Sequence, residues 1–128
     1  MKNIEVVAAI IRKEDKIFIT RRGYGEFIDM WEFPGGKIEI GETPIEALKR
    51  EAIEELNLEL EVGDIFIWVK KEYKEFTISL RCYTCKIKDE SQFKLNEHAA
   101  YLWLKRENLE SLVWVPTDNI IIKKLRDE

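Results

Sequence analysis

The segment TPIEALKREAIEELN, Thr43 to Asn57, carries both a start and a stop signal for an α-helix. Thr43 and Glu46 have the spacing of a capping box, in which a hydroxyl and a carboxylate satisfy two backbone N–H groups that a first turn leaves unpaired. Pro44 stands at the first helical position, where its missing N–H is not needed. Asn57 tolerates the left-handed backbone that ends a helix. The runs on either side read as strands, and one long helix set among strands limits the chain to a layered arrangement of mixed α and β elements.

Ile4 to Arg12 (IEVVAAIIR) is apolar and β-branched, as expected of a strand covered on both faces. Lys13 to Lys16 form a charged turn, and Ile17 and Ile19 then share one face of a second strand, which predicts a hairpin. Gly23 to Asp29 reads as loop, and Trp31 to Gly36 (WEFPGG) as a short strand closed by Pro34 and the glycine pair. Strands are predicted over 61–71 and 75–87, joined by a polar turn, and again over 99–104. A helical turn over 106–112 and a short helix from Asp118 to Leu125 complete the pattern. Nothing divides residues 1–128, a length sufficient for one core, so one domain of α/β (α+β) class is expected.

No apolar run approaches the roughly 20 residues that span a bilayer. The apolar run at the N-terminus is short and contains Glu5, unlike a secretory leader, so the expectation is a cytoplasmic protein. A formal net charge of −4, with signs mixed along the chain, argues against a general binder of nucleic acid or membrane surfaces. A small anionic substrate would then need a local bridge of metal or arginine. Cys82 and Cys85 lie three apart in an alternating run, hence on opposite strand faces, which argues against a disulfide or a zinc site.

Within the helix, Glu51, Glu54 and Glu55 are crowded. With Ile45 at the origin of a helical wheel, Leu48, Ala52 and Leu56 fill one sector and the three glutamates fall beside it. Like charges at this spacing repel by about 0.2–0.5 kcal/mol per pair. One reading is a solvated acidic face, relieved by Arg50 pairing with Glu46 and Glu54. The other is a set of oxygen ligands for a hard divalent cation. Spacing alone leaves both open.

The wider segment favours the second. Gly36, Glu42, Arg50, Glu51, Glu54, Glu55 and Leu58 (box 36–58) stand in the register GX5EX7REUXEEXGU, with U aliphatic, and so the segment resembles the Nudix box. Asn57 replaces the glycine of that pattern with the next best left-handed residue, and Ala52 fills the first aliphatic position with less volume. IEVVAAII, IFITRR, WEFPGGKIE and WVPTDNIIIKKL extend the resemblance to nearly the whole chain and to the MutT-like branch.

The resemblance implies an α/β/α sandwich with a mixed sheet and a catalytic loop-helix-loop. It implies Mg2+ or Mn2+ held by Glu51, Glu54 and Glu55 with the Gly35 carbonyl, Arg50 orienting the carboxylates, and Glu42 bracing the loop, with Gly36 a structural position of the box. Such a cation stabilises phosphate charge and makes a water more acidic. The resemblance leaves the general base as either a box glutamate or an acidic residue of a later loop, for which Glu97 is the candidate, and the adjacent His98 is expected to be structural.

For the substrate, the resemblance implies a small nucleotide: a nucleoside triphosphate cleaved to monophosphate and pyrophosphate, for sanitation of the nucleotide pool. Arg22 and Asp118 would meet the base, and Phe33 and Trp31 could flank it, although Asp118 also suits a helix N-cap. An ionised carboxylate only accepts, which suits a base with an amino donor, such as cytosine, better than the O6 of 8-oxoguanine unless Asp118 is protonated; 8-oxo-dGTP and a cytosine nucleotide both stay open as substrates. Cleavage of ADP-ribose or another diphosphate compound, or nucleotide sensing without turnover, are the alternatives. Monomer and homodimer both stay open.

Overall fold

The structure is a computed structural model and describes residues 2–128. Its centre is β1 (Lys2–Lys13), fully buried from Ala9 to Ile11, as its unbroken apolar run requires. One edge of β1 pairs in parallel with β6 (Phe76–Asp89), from Lys2 opposite Phe76 to Ile11 opposite Cys85, and β5 (Glu59–Glu72) lies antiparallel beyond β6.

The other edge is divided. β2 (Lys16–Arg21) takes Arg12 and Lys13 as the expected hairpin, while β4 (Gly35–Lys37) takes Val6 to Ala8. Alongside β2 lie β7 (Ala100–Lys105) and the two-residue β3 (Trp31–Glu32). The result is a mixed seven-stranded sheet with a fork on one side of β1.

Alternation along β1 feeds two cores. Val7, Ala9 and Ile11 pack with Ala47, Leu48, Ala52 and Leu56 of α1 (Pro44–Leu56). Ala8 and Ile10 pack with Ile121, Ile122 and Leu125 of α2 (Asn119–Arg126) on the opposite face. Each large side chain buried here contributes about 1.5–3 kcal/mol, so both helices are held by the sheet, and the α/β/α layering follows. Cys85 lies in the first core and Cys82 in the second, both as free thiols. Burial pushes both thiols up, Cys85 to about 12. Among the described residues no helix is long and apolar enough to cross a membrane.

The helix signals act as the sequence predicts. Thr43 accepts from the Glu46 N–H, Glu46 accepts from the Thr43 N–H, and Asn57 closes the helix at φ 51°. Glu46 is thereby committed to the cap, so it is not the partner of Arg50 that helical spacing suggested. Two further expectations change. Ile45 is 41% exposed, and the buried arc of α1 includes Glu55, which therefore lies inside the arc and not at its edge. The glycine pair does not close a turn: Gly35 and Gly36 lie in β4, pressed against β1, because a Cβ on Gly35 would overlap the Val7 carbonyl.

Candidate active site

A cavity of about 530 Å³ opens at the fork of the sheet, within the usual size of a small-molecule site, ~300–1,000 Å³. Gly35, Gly36, Glu51, Glu55 and Glu97 line it, and so do Arg22, Phe33 and Asp118. Residues separated by nearly the whole chain thus face one space, because β1 is flanked by β4 and β6 while α1 is packed behind.

Arg50 organises the carboxylates. Its Nε and one terminal nitrogen grip both oxygens of Glu42, at 2.6 and 3.0 Å, and Glu42 also accepts from the Glu39 N–H. The other terminal nitrogen donates to Glu51 at 2.9 Å and to Glu54 at 3.1 Å, and a further bond reaches the Lys37 carbonyl. The Glu42 bond, with smaller support from Glu51, raises the Arg50 pKa, and the same bond lowers that of Glu42. Only a planar fork can hold three carboxylates and a carbonyl together. Arg50→Lys is expected to cut turnover at saturating substrate by about 10-fold, with the fold retained in thermal melts.

Glu55 is 4% exposed. Burial first, then the negative charges of Glu51, Glu97 and Glu32, push its pKa up to about 9. Burial also raises Glu51, against the pull of Arg50. One oxygen of Glu55 has no hydrogen-bond partner among the described residues. A buried carboxylate beside other carboxylates is strained without a counter-charge, and this donor set is that of a hard cation. Gly36 keeps the space open, since a Cβ there would come within 2.5 Å of the Glu51 carboxyl carbon.

Glu51 and Glu55, with Glu54 and the Gly35 carbonyl, are therefore the groups that could hold a divalent cation. Among the described residues no three ligating side chains already converge, and Glu54, turned to Arg50, would have to rotate to join the others.

The C-terminal carbonyls of α1 receive a strap from the loop ahead of β7. The Lys94 and Asn96 N–H groups donate to Leu56 and Glu55 carbonyls, each at 2.9 Å, and the Asn96 side chain donates to the Glu54 carbonyl. Ala99 N–H then binds the Arg21 carbonyl. Between these anchors lie Glu97, exposed at the cavity, and His98, whose side chain is 6% exposed. The imidazole stands 2.8 Å from Glu32 and 3.6 Å from Glu55.

His98 is thus hydrogen-bonded, as expected of a structural group, but it sits beside the carboxylates. Glu32 was not singled out from the sequence at all; the available signal was a charged residue inside the otherwise apolar WEFP run.

At the other part of the cavity, Arg22 donates to Glu32 at 3.0 Å and to the Glu26 carbonyl. Phe33 is buried against Trp114, ring centroids 5.0 Å apart and nearly parallel. Trp31 packs in the core beneath and does not line the cavity. Asp118 stands at the N-cap position of α2 but makes no side-chain cap bond. Its carboxylate accepts the Phe33 N–H at 2.9 Å, so the N-cap role is not the one it plays. Burial, helped by the charge of Glu32, pushes its pKa up to about 7.

Comparison with known proteins agrees with this architecture. The NUDIX domain family matches residues 1–127. The CTP pyrophosphohydrolase of Escherichia coli (strain K12) is 35% identical over 120 residues, 92% of this chain and 87% of that protein. The 8-oxo-dGTP diphosphatase of Haemophilus influenzae is 33% identical over 129 residues, 99% of this chain and 94% of that one. The solution structure of the E. coli ORF135 protein superposes with a TM-score of 0.82 at 34% identity, covering 98% of this chain and 88% of its own. With the box residues gathered on α1 and the family matched end to end, the chain belongs to the Nudix family and is a hydrolase of phosphoric anhydride bonds.

Proposed function

We propose that this Nudix hydrolase is a nucleoside triphosphate pyrophosphohydrolase, dependent on Mg2+ or Mn2+, that releases nucleoside monophosphate and pyrophosphate from a cytosine nucleotide or from 8-oxo-dGTP. The observation that carries the reading is that one cavity is lined both by Glu51 and Glu55 and by Arg22, Phe33 and Asp118. A polyphosphate beside the carboxylates and a base against the buried Asp118 would occupy it together. The named activities of the E. coli and H. influenzae relatives support the same class.

Glu51, Glu54, Glu55 and the Gly35 carbonyl would hold the divalent cation, which would supply electrostatic stabilisation of charge on the phosphates. Arg50, with Glu42 as its anchor, holds Glu51 at the cavity and keeps Glu54 beside it, from where Glu54 would rotate to join the other ligands. Glu97, at the cavity rim and within electrostatic reach of Glu55, is placed to take the proton of the attacking water. Arg22 and Asp118 orient the base, and Phe33 supplies an apolar wall.

The test is a panel of dCTP, CTP, dGTP and 8-oxo-dGTP with Mg2+ or Mn2+, assayed for pyrophosphate and monophosphate, with Glu55→Gln as control. Pyrophosphate release that needs metal and vanishes in the control supports the reading. No release from any triphosphate overturns it.

Asp118 adds a pH dependence. Above about pH 7 its carboxylate is ionised and only accepts, matching the amino group of cytosine; below, the carboxyl can donate to a carbonyl such as O6 of 8-oxoguanine. The ratio of kcat/KM for 8-oxo-dGTP over dCTP is expected to rise as pH falls from 8.5 to 6. Asp118→Asn, which does not titrate, should flatten that ratio.

A further inference from the structure

A line of polar groups runs along the cavity wall from the arginine to the carboxylate helix. Arg22 Nε donates to one oxygen of Glu32 at 3.0 Å, and the other oxygen of Glu32 lies 2.8 Å from His98 Nε2. His98 Nδ1 then stands 3.6 Å from Glu55 Oε2. Because a carboxylate ion only accepts, Nε2 carries the hydrogen, which fixes the ring and leaves Nδ1 as an acceptor facing Glu55, where its lone pair limits the directions an ionised Glu55 oxygen can take. Among the described residues neither Nδ1 nor Glu55 Oε1 has a hydrogen-bond partner, and buried polar atoms without partners are rare unless a ligand or a function requires them. Arg50 secures Glu51 and Glu54. On the Glu55 side of the site, the basic group in contact is His98.

We propose that His98 and Glu32 are positioning residues: Glu32, itself held by Arg22, locks the imidazole, and the imidazole sets the direction in which the Glu55 carboxylate points. Through them the orientation of a cation ligand depends on residues 22 and 32, which belong to the loop after β2 and to β3. The inference rests on the metal-dependent reading above. A purely space-filling histidine would be replaced without loss by a ring of similar size.

The experiment titrates the full-length protein with Mn2+ alone, followed by electron paramagnetic resonance, beside thermal melts and steady-state kinetics. His98→Phe is expected to weaken Mn2+ affinity and lower kcat, each by about 10–100-fold, with Tm within a few degrees of wild type. His98→Gln keeps an N–H donor near the Nε2 position and His98→Asn can turn its amide oxygen, an acceptor, to the Nδ1 position, so each should recover part of the loss; these two carry the test if the Phe variant does not fold. Wild-type Mn2+ affinity in His98→Phe, or equal losses in all three variants that simply track Tm, would overturn the proposal. A wild type that cleaves no triphosphate, while His98→Phe still loses Mn2+ affinity, would sink the substrate reading and uphold this one.

Discussion

Glu55→Gln is expected to cripple turnover and, at the same time, to stabilise the fold. The carboxylate is buried and its pKa stands near 9, raised by burial and by Glu51, Glu97 and Glu32. In the unfolded chain it titrates near 4.5. Between these values the native state binds a proton that the unfolded state has released, so wild-type stability falls as pH rises through that window. Glutamine has nothing to titrate, and the Tm gap between variant and wild type should widen with pH. It should reach on the order of 2 kcal/mol at neutral pH, about 6–10 °C for a chain of this size.

Turnover should fall by about 100- to 1,000-fold, the ~3–4 kcal/mol expected when a group stabilising transition-state charge is removed. Added Mn2+ should raise the wild-type Tm by ligand linkage and leave the variant nearly unmoved. A variant that keeps its turnover, or a Tm difference that stays flat from pH 5 to 8.5, would sink the account of Glu55 as a strained cation ligand.

The two glycines of β4 should separate folding from chemistry. In Gly35→Ala the new methyl would overlap the Val7 carbonyl oxygen and come within 2.8 Å of Ala8 Cα. Both are backbone atoms of the central strand and cannot swing aside. β4 must detach from β1, with a loss of about 3 kcal/mol, read as a Tm drop of about 10 °C or more.

In Gly36→Ala the methyl meets the end of a flexible side chain instead, the Glu51 carboxylate at 2.5–2.7 Å. Glu51 can move, so the melt should shift by only a few degrees. The displacement takes Glu51 from its place and disturbs its bond to Arg50, and turnover should fall about 10–100-fold. Equal loss of stability in both variants, measured by thermal unfolding beside kcat, would contradict this division.

What was legible in the sequence was what local chemistry or register could carry. The N-terminal cap of α1 is written in the four residues Thr43 to Glu46 and the C-terminal one in Asn57, so both were readable without any tertiary contact. The unbroken apolar run of β1 announced a strand covered on both faces. The spacing of Arg50, Glu51, Glu54 and Glu55 gave the carboxylate helix.

Less legible were properties set by distant partners. Glu55 falls only about 20° of helical rotation from Leu48, too little for a wheel to separate buried from edge. Glu32 and His98 are 66 positions apart, and only the pairing of β2 with both β3 and β7 brings them together. Asp118 looked like a cap because caps are local, whereas its actual donor, the Phe33 N–H, lies 85 residues away.

The strap that binds residues 94–99 to α1 and β2 also bears on how relatives of this chain can be compared. Lys94 and Asn96 are tied to the last turn of α1, and Ala99 is tied to β2, so the two residues between Asn96 and Ala99 are delivered to the cavity by their distance from these ties. Phe93 packs against Phe18 and Tyr101, but the exposed residues 90–92 between β6 and Phe93 are tied to neither α1 nor β2, and a change of length there would leave these ties in place. Counting from the box to find the late acidic residue in a homologue will therefore mislead whenever that stretch varies. Counting backward from the start of β7 will not.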